Sequence, residues 1–230
     1  ILAAIALTGW AVWPAWRQYR SVQDLHEPTL DSMTRLQAAE RLAQIGPGAI
    51  GDLIDLLHDE KSEVRGLAAT ALGRMGPKAA PALQELLEMV SDSSLNVRKD
   101  VLSSLASIAP HDQSVLSALL YATSDTDTSV RRLAINKLSA IRPPEIPTLI
   151  AALDNHDPEV RTQMLQVLQD LGPEASDAVP SIIALTLEED ETVRMNASQA
   201  LTAIGTAALP TLMQKLAEGT PDERTKVAFA

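Results

Sequence analysis

Residues 59–76 read DEKSEVRGLAATALGRMG, and residues 92–108 restate the pattern as DSSLNVRKDVLSSLASI. In each stretch an Asp stands six residues before an Arg, a Val directly precedes that Arg, and large or small apolar residues follow at offsets 3, 7 and 10. Those offsets share one face of an α-helix, whereas a strand would alternate with period two. The marker Arg recurs as Arg35, Arg65, Arg98, Arg131, Arg161, Arg194 and, weakly, Arg224, at spacings of 30, 33, 33, 30, 33 and 30 residues. A fixed period in this range marks a stacked array of helical units, each touching only its neighbours.

The units align by offset from the Arg. Offset 7 is always Leu: Leu42, Leu72, Leu105, Leu138, Leu168 and Leu201. Offset 5 is always polar: Glu40, Thr70, Ser103, Asn136, Gln166 and Gln199. The first column predicts a buried face and the second a wet one. Gly46-Pro47, Gly76-Pro77, Ala109-Pro110, Arg142-Pro143 and Gly172-Pro173 then stop the helix, because Gly can take a left-handed cap and Pro cannot continue the ladder. A second helix follows in each unit, with apolar residues at offset 22: Leu57, Leu87, Leu120, Leu153, Ile183 and Leu216. Pro81, Pro147, Pro180 and Pro210 lie near its start, where a missing N–H costs little. The reading predicts helix breaks near 46, 76, 109, 142, 172 and 205.

Composition narrows the function. The 230 residues are 46% hydrophobic and 3% aromatic, so the core is built from Ala, Leu, Ile and Val. There are no cysteines, which excludes zinc–thiolate sites, iron–sulfur clusters and thiol catalysis. Of the four His, His58, His111 and His156 fall in or beside turns of different units, and His26 precedes the array; turns of separate units do not converge on one metal. No Gly-rich phosphate loop, zinc-protease motif or nucleophile elbow occurs. The expectation is a chain without catalytic, metal or cofactor residues. The formal net charge is −11, and residues 21–230 hold 17 basic against 30 acidic residues, which repels phosphate and disfavours nucleic acid.

The first twenty residues are different in kind. ILAAIALTGWAVWPAW carries no charge over residues 1–16, and Arg17, Gln18, Tyr19 and Arg20 follow. An apolar run closed by Trp, Tyr and Arg resembles a helix leaving a bilayer. The expectation is a truncated transmembrane anchor over residues 1–20, a linker over 21–30, and a helical array over 31–230 of a chain cut at both ends. The competing readings are a signal-peptide core and a buried helix of the array; Trp at i, i+3 and i+6 beside two Arg disfavours the latter. Trp10, Trp13, Trp16, Tyr19, Arg17 and Arg20 are the candidate membrane or partner contacts. The expected location is a single-pass membrane protein, with a lean toward the extracytoplasmic side.

The recurring Asp–Arg pattern, with Ala and Leu at offsets 3 and 7 and a closing Ile-Gly, resembles the HEAT repeat, and most closely the short variety of the phycobilisome-lyase-like family. The resemblance covers roughly residues 31–230. It implies an all-α solenoid of antiparallel helix pairs, with the Val-Arg helix on the concave side. It also implies a structural ladder: Asp59 with Arg65, Asp92 with Arg98, Asp125 with Arg131, and Arg161 and Arg194 in the following units, where Asn155 and Glu188 replace the Asp. The function this supports is a membrane-anchored protein-interaction scaffold, an accessory subunit of a larger membrane complex. Its acidic array would face Lys and Arg on the partner. The alternative is a bilin lyase or chaperone-like protein, which needs an aromatic- or His-lined pocket. Residues 21–230 hold only Tyr121 and Phe229 as aromatics.

Overall fold

The computed structural model describes residues 16–27, 30–142, 145–221 and 224–225, Ser32 through its backbone alone. Every regular element among them is helical. Residues 16–26 form α1. Then follow α2 (Ser32–Ile45), α3 (Ile50–Leu57), α4 (Ser62–Met75), α5 (Leu83–Glu88), α6 (Leu95–Ile108) and α7 (Gln113–Ala122). After these come α8 (Thr128–Ala140), α9 (Ile146–Ala152), α10 (Pro158–Leu171), α11 (Val179–Leu185), α12 (Glu191–Ile204) and α13 (Leu209–Glu218). The chain divides into two compact units after Ala118, within α7.

The long helices form because their apolar residues recur with helical spacing. The six offset-7 leucines are all buried, none more than 4% exposed. Offset 3 (Ala38, Ala68, Val101, Ala134, Met164, Ala197) is fully buried, and so is Val at offset −1. The offset-5 residues are never buried. A further buried column lies at offset 4, as Ala39, Ala69, Leu102, Ile135 and Leu165, and widens the apolar stripe. In the first unit α4 packs between α2 and α6; in the second α10 packs between α8 and α12. Ala at offsets 3 and 4 lets these helices approach closely, which explains a core with few aromatics.

The helices end at Ile45, Met75, Ile108, Ala140, Leu171 and Ile204, where the stop signals predict. Gly46, Gly76, Gly172 and Gly205 all take positive φ; at Gly76 it is 58°, a conformation an L side chain would strain. Asp31, Asp127, Asp157 and Asp190 cap the N-termini of α2, α8, α10 and α12 through backbone N–H groups.

The register of the second helices differs in part from the sequence reading. Leu57, Leu153 and Ile183 are buried as expected. In α5 and α7, however, Leu86 and Leu119 are the fully buried residues rather than Leu87 and Leu120. Both sites are Leu-Leu pairs, so composition alone left two choices one step apart. Leu216 is 46% exposed, on a helix with no buried residue among those described.

The N-terminal expectation is corrected. Among the described residues no helix is long and apolar enough to cross a membrane, so the single-pass membrane location is not upheld. Helix α1 runs through the boundary placed at residue 20 and through most of the expected linker. It buries Ser21, Asp24 and Leu25, at i, i+3 and i+4, against the array. Arg41 of α2 binds Asp24 at 2.7 Å and Ser21 at 3.2 Å. Gln18 donates to the Gly48 carbonyl at 3.0 Å and to Asp52 at 2.8 Å. Arg20 pairs with Asp24 at 3.0 Å, while Arg17 and Tyr19 are exposed. The Arg and Gln that read as a bilayer exit therefore belong to a polar helix face, and their neighbours dock it on the first unit. Trp16 is 54% exposed on the same helix. Trp10 and Trp13 lie outside the described residues.

Leu105→Ala is expected to lower stability by about 2–5 kcal/mol, because it empties a fully buried site between packed helices. Gln166→Ala, on the wet stripe, should change it by less than about 0.5 kcal/mol. Urea denaturation of both variants checks the assignment of faces; equal losses would refute it.

Candidate functional site

The recurring Arg is a brace across each turn. Its Nη1 donates to the backbone carbonyl six residues earlier: Arg65 to Asp59 at 2.8 Å, Arg98 to Asp92 at 2.9 Å, and Arg131 to Asp125 at 2.9 Å. The same bond runs from Arg161 to Asn155 at 2.7 Å and from Arg194 to Glu188 at 2.6 Å. The carbonyl five residues earlier takes a second contact in every case. Because the acceptor is backbone, Asn155 and Glu188 serve as well as Asp. The Asp–Arg ladder that the resemblance implied has main-chain acceptors in these bonds.

The carboxylates act elsewhere. Asp59, Asp92 and Asp125 each accept a backbone N–H two residues on and fix the turn. Asp92 also reaches back one unit. Arg65 Nε and Nη2 meet its two oxygens at 2.8 and 2.9 Å, a part-buried bidentate pair. Burial alone would raise the Asp92 carboxyl, but the Arg65 bond, the Ser94 N–H and the charges of Arg65 and Arg98 outweigh it and hold the group below its ordinary range. In the second unit Arg131 pairs with Asp157 at 3.1 Å and Arg161 with Glu188 at 3.6 Å. The Arg161 pair is looser, and Arg161 Nε is buried without a partner.

A groove opens on the wet side of the α4–α6 pair. One part, of about 380 Å³, is lined by Thr70, Gly73, Arg74, Asp100, Ser103, Ser104 and Ser107. A second part, of about 340 Å³, shares Asp100 and adds Gly66, Ser62 and Ser94 among others. Thr70 and Ser103 are offset-5 residues, so the polar stripe marks this face. The floor is set by close helix approach: a Cβ on Gly73 would lie 2.9 Å from the Ser104 Cα, closer than side chains pack. Ser104 Oγ lies 2.7 Å from the Ala69 carbonyl, tying α6 to α4. The Asp100 carboxylate lies over Gly66, where an added Cβ would meet it at 2.7 Å. Burial pushes its carboxyl above the ordinary range, with Lys99 opposing weakly. The sequence reading singled out neither Asp100 nor the two glycines; the signal is the small-residue spacing 66, 70, 73 facing 100, 104, 107 on the next helix.

Among the described residues no group of three His, Cys, Asp or Glu could hold a metal ion. The family model described as HEAT repeats matches residues 25–106, 84–169 and 146–230. The chain belongs to the HEAT-repeat family. No curated protein matches it. The HEAT-like repeats protein from the archaeon Thermococcus onnurineus NA1 is similar in structure, with TM-score 0.54 and 14% identity over 92% of this chain and 94% of that one. The Escherichia coli protein YibA gives TM-score 0.53 and 20% identity over 95% and 84%. These likenesses carry the HEAT fold and not the phycobilisome-lyase variety of it.

Two carboxylates of this HEAT array should respond to pH with opposite sign. Asp92 has a depressed carboxyl, so its contribution is present above the unfolded value and is lost as pH falls through the folded one. Asp92→Ala should cost about 1.5–3 kcal/mol at neutral pH, because Arg65 keeps its turn carbonyls but loses both charge-assisted bonds to the carboxylate, and the cost should shrink in acid. Asp100 has a raised carboxyl, so the fold favours its protonated form. Asp100→Asn should raise the melting temperature at pH 7, and the gain should vanish as pH falls below the unfolded value. Melting curves of the three proteins between pH 3 and 7 check both signs.

Proposed function

We propose that this HEAT array is a protein-interaction scaffold whose acidic, polar face binds a basic partner protein. The observation that carries the reading is the offset-5 stripe. It stays out of the core on every long helix while the columns at offsets 3 and 7 are fully buried. A regular stack keeps one face polar and available over several helices, which suits a broad contact with another chain.

Charge sets the partner's sign. The chain has 30 acidic against 19 basic residues. The net charge of −11 leaves carboxylates to dominate the field outside. Such a surface attracts Lys and Arg and repels nucleic acid. The α4–α6 groove carries no aromatic or His residue, so it offers nothing with which to stack a chromophore.

The test is a panel of fluorescent peptides of equal length that are Arg/Lys-rich, neutral or Asp/Glu-rich. The basic peptides alone should bind, and their affinity should fall between 50 and 300 mM salt, because exposed charges are screened within about 10 Å at 0.1 M. Failure of every basic peptide at low salt would overturn the proposal.

A further inference from the structure

Helices α4 and α6 are each 14 residues long, so the trough between them runs about 20 Å, the reach of about six residues of extended chain. Asp100 belongs to both of its parts and lies midway. Its carboxylate has no hydrogen-bond or ion-pair partner among the described residues. The charged neighbours are already engaged: Glu63 with Arg35, and Arg74 with Glu40. Lys99 acts on Asp100 through its field but forms no ion pair with it.

The hydroxyls point to the ligand's chemistry. Ser107 Oγ donates to the Ser103 carbonyl at 2.8 Å, and Ser104 Oγ has the Ala69 and Asp100 carbonyls within 2.7 and 2.8 Å. Ser104 is 3% exposed and serves the contact between the helices, while the exposed Ser107 oxygen, its proton directed onto helix backbone, can only accept. A carboxylate among acceptors fits a group that only donates, and guanidinium and ammonium are the side chains of that kind. A lone carboxylate is a poor metal site. A carboxylate with both oxygens free of partners meets the planar fork of a guanidinium through two bonds, which a round ammonium cannot match.

We propose that the α4–α6 trough receives an arginine side chain from an extended basic segment of the partner protein, with the guanidinium on Asp100. The inference rests on the reading of the chain as a scaffold for a basic partner and names its anchor point. The raised carboxyl supports it. A charge that burial disfavours is relieved when a cation arrives, so binding should draw Asp100 back toward the ionised form.

The experiment uses the whole chain and labelled (Gly-Arg)4, with (Gly-citrulline)4 as the neutral isostere, in fluorescence anisotropy at low salt. Asp100→Asn should weaken (Gly-Arg)4 about tenfold or more, since it removes one side of a charge pair. Asp170→Asn, the same charge change on an exposed site of α10, should weaken it less than about twofold. Ser103→Arg, which fills the slot from within, should abolish binding. The citrulline peptide should not bind. Equal effects of the two Asn variants, or full affinity in Ser103→Arg, would overturn the Arg site while leaving the scaffold reading intact. Absence of (Gly-Arg)4 binding to the wild type would remove both. Circular dichroism melts of each variant confirm that the fold is kept.

Discussion

The Arg that closes each turn is the contact on which the array depends. A helix ending leaves carbonyls without partners, and a turn between units would leave more. One guanidinium answers this by donating to carbonyls five and six residues earlier, in every unit from Arg65 to Arg194. That fixes the exit of one unit relative to the long helix of the next. Where a carboxylate of the following unit reaches the same guanidinium, as Asp92 reaches Arg65, the brace also ties neighbouring units together. A Lys could not do both, because it lacks the planar fork.

Much of this was legible in the sequence because repetition averages out local ambiguity. One copy of Val-Arg with Leu seven residues on would mean little, whereas six copies place Leu72, Leu105 and Leu168 in a core where each is fully buried. Helix ends were legible because Gly and Pro act locally. The register of the second helices was not, since Leu86-Leu87 and Leu119-Leu120 present two equal candidates and only packing chooses. The ladder was legible in its donor, and the atom that accepts was not. The spacing of six is real, but it selects a backbone carbonyl, and backbone acceptors leave no trace in residue identity. The change to Asn155 and Glu188 with the Arg retained was the available hint.

The N-terminal segment failed for a related reason. Arg17, Gln18, Tyr19 and Arg20 have the composition of a bilayer exit, and composition does not record what a helix packs against. The deciding residues lie further on: Ser21, Asp24 and Leu25 form a face that fits α2, with Arg41 waiting for Asp24. An ion pair between residues 17 apart becomes visible only once the helices are placed.

Asp100 sits at the other extreme from Asp92. Both are aspartates of the α6 repeat, both lose solvent on folding, and burial alone would raise both carboxyls. For Asp92 the Arg65 fork reverses that tendency, so its charge serves the fold. For Asp100 nothing described reverses it, so its charge opposes the fold. An array built from repeated compensations that leaves one half-buried carboxylate uncompensated has a local inconsistency, and such departures concentrate where a surface is shaped for something outside the chain. The glycines at 66 and 73 agree with this. They bring α4 and α6 close, with Ser104 seated on Gly73 and the Asp100 carboxylate on Gly66, and a Cβ at either would push the helices apart. A cation from a partner is the missing counterpart that this arrangement of charge, acceptors and space describes.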